Sequence, residues 1–398
     1  MGLRDKIEEI RSQAGLSNVR LDQLRNSVRS LKSMEEQQSK EIERLRSDLK
    51  ANAKETNRLR VELKTEFQRR DVWERKKAEV QRLAKGKEIL VIKCPALERR
   101  GAKSVDYAYC DVLKRYFEEA GYYVLIDCYE DWNCSINADV VVLIHGYRYF
   151  HPDRRDENTK FVMWINCFPD KITAEELALY DLVVTTSETH QKMLQHITDI
   201  PVEFMPMLTD TDSFYPSDTP TQPKYNCVFV GNIIQRKYPR DCIRWCNDNG
   251  IEVDVWGEGW DKFYANSMFV HLHGRIEYKD LPELYRNARF SLNDHFADML
   301  DTEMMNNRFP EVLLCGTPMI CDWAESFERD YGDMVLFYRN EEEFVQCMKE
   351  MDERYDELKA NIMKNQEKLK EEFDFQRGIR RMQELIDTCC EGDEEESK

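Results

Sequence analysis

The sequence predicts an α/β protein with two open parallel sheets, preceded by one long helix that pairs in a coiled coil. Three observations carry this. From Lys87 onward short apolar runs alternate with amphipathic stretches, a proline-bounded segment divides those runs into two sets, and before Gly86 a heptad stripe runs without a proline.

The helix comes first along the chain. From Leu21 to Ala84 the seam positions Leu21, Val28, Ile42, Leu49, Leu63 and Ala84 alternate with Leu24, Leu31, Leu45, Leu59, Trp73 and Val80. Twelve of nineteen seam sites are apolar, and a single helix cannot bury such a stripe. A partner is therefore expected. At 1.5 Å per residue the seam spans roughly 95 Å, longer than the globular part, which favours pairing between chains in a homo-oligomer. Polar Glu35, Gln38, Asn52 and Thr56 leave dimer and trimer both open.

After Lys87 the runs Ile89 to Ile92, Tyr123 to Ile126, Val140 to Ile144, Phe161 to Ile165 and Leu182 to Thr185 read as strands of a first parallel sheet. A second set stands at Cys227 to Val230, Val253 to Trp256, Val270 to Leu272, Phe290 to Leu292, Met319 to Ile320 and Val335 to Phe337. The resulting organisation is a coil over 1–86, one domain over 87–206, another over 207–375, a terminal helix over 376–390 and a disordered acidic tail over 391–398. Two open sheets present two sets of carboxyl-end loops, and a ligand is expected in the cleft between them.

Charge is divided unevenly. Residues 1 to 87 carry 23 Lys/Arg against 15 Asp/Glu, whereas the rest carries 35 against 61. So acidic a globular part lacks the cationic face that a nucleic-acid backbone requires. The 13 cysteines stand mostly singly in apolar runs, without paired metal spacing, and read as buried thiols of a reducing compartment. No metal is expected. The start, Met-Gly-Leu-Arg-Asp-Lys, has no apolar export core, Lys6 departs from a myristoylation pattern, and no apolar run reaches membrane-spanning length. The expected location is cytoplasmic.

The densest chemistry lies between Glu303 and Pro318. Glu303 and Glu311 stand eight positions apart, with Asn306-Asn307-Arg308 between them and Cys315-Gly316-Thr317-Pro318 after them. Glu311 to Cys315 reads as a helical turn that Gly316 closes, and Pro318 opens a short strand. A helix beginning near Asn307 would aim free N–H groups, with Arg308, at an anion. A carboxylate beside a phosphate makes sense when it accepts hydrogen bonds from sugar hydroxyls. Upstream, Tyr225 to Val230 runs into Gly231-Asn232 and then Arg236-Lys237, and Pro206 to Pro216 reads as a linker. Asp210 and Asp212 within that linker lack a third ligand for an oxygen cage, which argues against a metal there. His145 ends the strand Val140 to Ile144, and Asp170 follows Phe168-Pro169, where it either orients a ligand or caps a helix.

These segments, in this order, resemble the family 4 glycosyltransferases of the GT-B fold. The Asn-Arg-Phe-Pro-Glu wording around Arg308 is similar to the spore-maturation glycosyltransferase-like group, and the likeness covers roughly residues 88 to 385. The resemblance implies two Rossmann-like domains, terminal helices that brace the first, and transfer of a sugar from a nucleotide diphosphate donor to a glycan, glycoconjugate or protein acceptor. It implies retention of configuration with no metal or cofactor. Within it, Glu311 holds the ribose, Glu303 the transferred sugar, and Lys237, Arg236 and Arg308 the diphosphate. Gly231 begins the glycine turn, Asn232 replaces the family's arginine, Gly316 closes the donor helix, and Arg275 and Ile276 read the base. His145 stands near the reacting sugar. Two rival expectations are a scaffold built on a decayed transferase and a sugar-nucleotide epimerase of the same fold.

Overall fold

The computed structural model describes residues 2, 4–15, 26, 32, 34, 38, 42, 45, 79–97, 105–132, 138–146, 148–152, 158–217, 222–233 and 240–395. The chain divides into two units, Met1–Glu74 and Arg75–Lys398. In the first, residues 4–15 are helical and exposed. Of the heptad seam, the described positions Gln38, Ile42 and Leu45 are helical, with Ile42 51% and Leu45 58% exposed. The remaining seam positions from Leu21 to Trp73 lie outside the described residues.

The second unit holds two parallel sheets of six strands each. The first comprises β1 (Ile89–Cys94), β2 (Tyr123–Cys128), β3 (Val140–Ile144), β4 (Lys160–Ile165), β5 (Leu182–Thr185) and β6 (Val202–Phe204), in the order β2-β1-β3-β4-β5-β6. The second comprises β7 (Tyr225–Val230), β8 (Val253–Trp256), β9 (Val270–Gly274), β10 (Ala288–Asn293), β11 (Met319–Asp322) and β12 (Val335–Tyr338), in the order β12-β11-β10-β7-β8-β9. All pairings are parallel, and the inner strands are apolar on both faces because helices cover both. The order reverses beside β1 in one sheet and beside β7 in the other. Such switch points open a crevice outside the carboxyl ends of the strands.

Two findings differ from the sequence reading in the first sheet. β6 was not expected: it is three residues long, follows Pro201 and pairs only with β5, so its apolar signal is short. Val80 and Ala84, assigned to the coil seam, are instead buried with Ile89, Val91 and Leu143 in a core cluster of this sheet. A heptad period and a helix packed on a sheet both need an apolar stripe, so spacing does not separate them.

The domains are joined twice. The linker runs from Pro206 to Pro216, and the chain returns where Gln366–Phe373 gives way to the helix Phe375–Glu395. The joints touch: Thr209 N donates to the Phe373 carbonyl at 2.7 Å and Thr211 Oγ1 to Asp374 Oδ1 at 2.6 Å. Phe375, Ile379, Met382 and Ile386 then pack with Tyr109, Cys110 and Leu113 over the first sheet. A Cβ at Gly378 would collide with Leu208, so glycine permits this close approach. The tail expected to be disordered from Glu391 is helical as far as Glu395.

Candidate functional site

A cavity of about 280 Å³ lies between the two sheets' carboxyl edges. From the first domain it is lined by Pro95 after β1, Ile144 and His145 at the end of β3, Asn166 and Cys167 after β4, and Asp106 and Tyr109 on the helix Val105–Glu119. The second domain supplies residues from three successive strand ends and from the helix Arg308–Leu314.

The strand ends form a stack of glycine turns. Gly231 N donates to the Trp256 carbonyl at 2.9 Å and Gly257 N to the Gly274 carbonyl at 2.6 Å. Gly257 has φ 135°, and a Cβ there would collide with the Gly231 carbonyl. This contact requires glycine. Asn232 Oδ1 accepts from Glu258 N at 2.8 Å, tying the first turn to the second. Arg275 and Ile276 follow the third turn and also line the cavity.

Glu311 lines the cavity and is 4% exposed. Burial pushes its carboxyl up to about 8, against the opposing pull of Arg308 and of a hydrogen bond with Tyr278. Tyr109 and Tyr285 also line the cavity, within electrostatic reach of Glu311. Arg308 is held from behind: Nη1 donates to Asn293 Oδ1 at 2.5 Å, Asp294 stands 3.8 Å away, and the guanidinium lies over Phe229. Asn306 Nδ2 donates to the Asn293 side chain and to the Asp294 carbonyl. Asn293 and Asp294 at the end of β10 therefore hold both Asn306 and Arg308, which line the cavity.

Across the cavity, His145 Nδ1 lies 3.1 Å from the Cys167 carbonyl. A carbonyl only accepts, so Nδ1 carries the proton and Nε2 is the basic nitrogen of the neutral ring. The cavity thus brings together His145, Gly231, Asn232, Arg275, Ile276, Arg308 and Glu311. Arg236 and Lys237 lie outside the described residues, as does the loop 101–104.

Two expected site residues stand elsewhere. Glu303, assigned to the transferred sugar, is not among the cavity residues; it accepts from Thr189 Oγ1 at 2.5 Å and from Ser326 N at 3.1 Å, at a seam between the domains. Burial opposes its charge, yet these hydrogen bonds hold its carboxyl below the usual range. Gly316, with φ 72°, ends the helix Arg308–Leu314 as expected, but there it faces Pro216 and Met363. Sequence reasoning missed Asp106, Tyr109, Tyr278 and Asn306. Tyr278 follows Ile276 by two residues, and Asp106 and Tyr109 have the three-residue spacing of one helix face, so both signals were present but shared by many structural positions.

Asp210 accepts from Arg115, Tyr116 and Ser213, each at 2.8 Å, which occupies its oxygens within the linker. Among the described residues, His295, Cys321 and Asp322 group as metal-ligand types. His295 Nδ1 and Asp322 Oδ1 are hydrogen-bonded to each other at 2.6 Å, and Cys321 Sγ donates to the same oxygen.

Two open six-stranded sheets facing each other across such a cavity are the GT-B architecture. Residues 236–387 match the family model described as Glycosyl transferase-like. Among solved structures, sucrose-phosphate synthase from Thermosynechococcus elongatus is similar at TM-score 0.58 and 11% identity, over 77% of this chain and 100% of that one. HepE of Anabaena, solved in complex with UDP and glucose, is similar at TM-score 0.54 and 11% identity, over 76% and 99%. AviGT4, a glycosyltransferase involved in avilamycin A biosynthesis, is similar at TM-score 0.53 and 12% identity, over 77% and 98%. At such identities the likeness is one of fold. No curated protein matches the sequence significantly.

Proposed function

We propose that the protein is a glycosyltransferase that moves a sugar from a nucleotide diphosphate donor to a glycan, glycoconjugate or protein acceptor. The observation that carries this is the convergence of Glu311, Arg308 and three glycine turns from one domain on a cavity closed by His145 of the other. Glycine turns let backbone approach a bulky anionic ligand, Arg308 offers charge to a diphosphate, Arg275 and Ile276 stand where the base is read, and Glu311 offers acceptors to sugar hydroxyls. Lys237 and Arg236 follow the first turn in sequence and are assigned to the diphosphate. The His145 ring is assigned to the reacting hydroxyl. The match of residues 236–387 to a glycosyl transferase-like family supports the same reading, and HepE was solved with UDP and glucose.

We assign the finer properties as follows: retention of configuration, no metal or organic cofactor, self-association through the N-terminal helix, and a cytoplasmic location. The occupied oxygens of Asp210 support metal independence. No helix of the described residues is long and apolar enough to cross a membrane.

A thermal-shift panel of UDP-, GDP-, ADP- and dTDP-sugars tests the assignment, because a bound donor raises the melting temperature by mass action. One of the four is expected to stabilise the wild type. Glu311→Ala should weaken that donor by about 5- to 150-fold, the cost of leaving a buried ribose hydroxyl unpaired, and abolish transfer. Unchanged donor affinity and turnover in Glu311→Ala would remove the assignment, and activity lost in EDTA and restored by Mn²⁺ would remove metal independence. Asn232, tied to the Glu258 backbone where the family carries an arginine, favours a second reading, a scaffold on a decayed transferase. In that case no nucleotide sugar shifts the wild type.

A further inference from the structure

We propose that Tyr109, carried by the first domain, is a ligand of the nucleotide bound by the second, and that its hydroxyl contacts the ribose beside Glu311. This rests on the reading above that the cavity takes a nucleoside diphosphate. In the helix Val105–Glu119, Cys110, Leu113 and Phe117 turn fully into the first domain's core, while Asp106 and Tyr109 line the cavity. The Tyr109 ring is fixed between Trp164 of β4, at 6.5 Å between centroids, and Phe375 of the terminal helix, at 5.4 Å.

The ring therefore has a structural reason to be there. The hydroxyl does not. Tyr109 is 3% exposed, and its hydroxyl, shielded from solvent, has no hydrogen-bond partner among the described residues. Phenylalanine would fill the same space without leaving a buried polar group unpaired. Tyr285, fully buried on the other domain, is in the same state, whereas the Tyr278 hydroxyl is hydrogen-bonded to Glu311.

Glu311 thus stands among three tyrosines on two domains, two of them with unused hydroxyls. Burial makes Tyr109 harder to ionise, and Cys110 and then Glu311 add to this, which places Glu311 within electrostatic reach of it. A recess with a carboxyl acceptor and phenolic donors suits neighbouring hydroxyl groups and disfavours an anion, so the ribose diol belongs here and the diphosphate nearer Arg308. The consequence is twofold: nucleotide binding ties the domains together, and the 2′-hydroxyl is read.

The test uses full-length wild type and Tyr109→Phe, each melted alone and with UDP, GDP and ADP and their 2′-deoxy counterparts. Without ligand, Tyr109→Phe is expected to melt at the wild-type temperature or above it, since an unpaired hydroxyl has been removed. Its affinity for the stabilising ribonucleotide should fall about five- to tenfold, and the wild type's preference over the 2′-deoxy form should shrink. A ligand-free variant that melts several degrees lower makes the hydroxyl structural and overturns the proposal. Equal affinity and equal ribose preference in both proteins also overturn it. If none of the six nucleotides stabilises the wild type at millimolar concentration, the donor reading itself fails and this inference falls with it.

Discussion

Glu303 and Glu311 are eight residues apart in sequence and read as partners, yet they occupy opposite electrostatic environments. Glu311 lies on a helix that turns it into the cavity, where burial pushes its carboxyl up to about 8. Glu303 lies in a turn, with φ 52°, and its carboxylate is held below the usual range by Thr189 and the Ser326 backbone N–H. Spacing fixes distance along the chain, not which wall a side chain joins. One carboxyl is kept near neutrality where a ligand enters; the other is kept ionised where two domains meet.

The largest effect expected on the cavity side comes from its glycine wall. Gly257→Ala adds a Cβ that meets the Gly231 carbonyl at a φ that side chains rarely adopt, and should cost about 3 to 5 kcal/mol in denaturant melts. Gly274→Ala is the control: its φ is 70°, but nothing lies within 4 Å of the added atom, so only the conformational cost of about 1 to 2 kcal/mol remains. Equal losses in the two variants would show that the stacked turns are not what shapes the wall.

Acidity separates the two regions next. The folded Glu311 carboxyl is raised above its unfolded value of about 4.5, so the stability it contributes is full below pH 4.5 and is lost as pH rises through 8. On the seam side, His190 neighbours Thr189 and accepts or donates at Thr185 Oγ1 over 2.8 Å. Burial, with His145 nearby, pushes it down to about 4. Its sign is opposite. The unfolded ring takes up a proton near pH 6.5 while the folded one resists, so stability is lost as pH falls from 6.5 to 4, by roughly 3 kcal/mol in all. Glu311→Gln should flatten the stability profile above pH 5, and His190→Gln below pH 6.5. A profile unchanged in both variants would detach these groups from the pH response.

The comparison also shows what the sequence makes legible. Eleven of the twelve strands were readable because buried parallel strands are nearly unbroken apolar runs, and the glycine turns marked their carboxyl ends. Tyr109 was not, because a tyrosine on an amphipathic helix is ordinarily core, and only the three-dimensional meeting of two domains leaves its hydroxyl unpaired. Val80 and Ala84 were misplaced because the seam register continues unbroken into a helix end that packs on the sheet. That error has a measurable size. Removing residues 1–74 should leave the globular unit's stability unchanged, whereas removing 1–85 should cost a further 2 to 4 kcal/mol, about the burial of one valine and one alanine side chain. Equal melting of the two truncations would return both residues to the coil.

The smallest expected effect is at Glu303, and it is the one that most directly tests the separation of the two carboxyls. Glu303→Gln keeps the shape and one acceptor oxygen, so Thr189 or Ser326 retains a partner and the seam should weaken by only about 1 kcal/mol. Because the native carboxylate is held below its unfolded value, its contribution is present above pH 4.5 and lost as pH falls further, so the variant and the wild type should converge in strong acid. Donor affinity should stay within about twofold of wild type, since Glu303 does not line the cavity and a twofold change is under 0.5 kcal/mol. A donor affinity that falls as far as it does in Glu311→Ala would mean that Glu303 leaves Thr189 when ligand arrives and swings into the cavity. The two carboxyls would then be partners in the bound state, and the seam contact would be a feature of the empty protein alone.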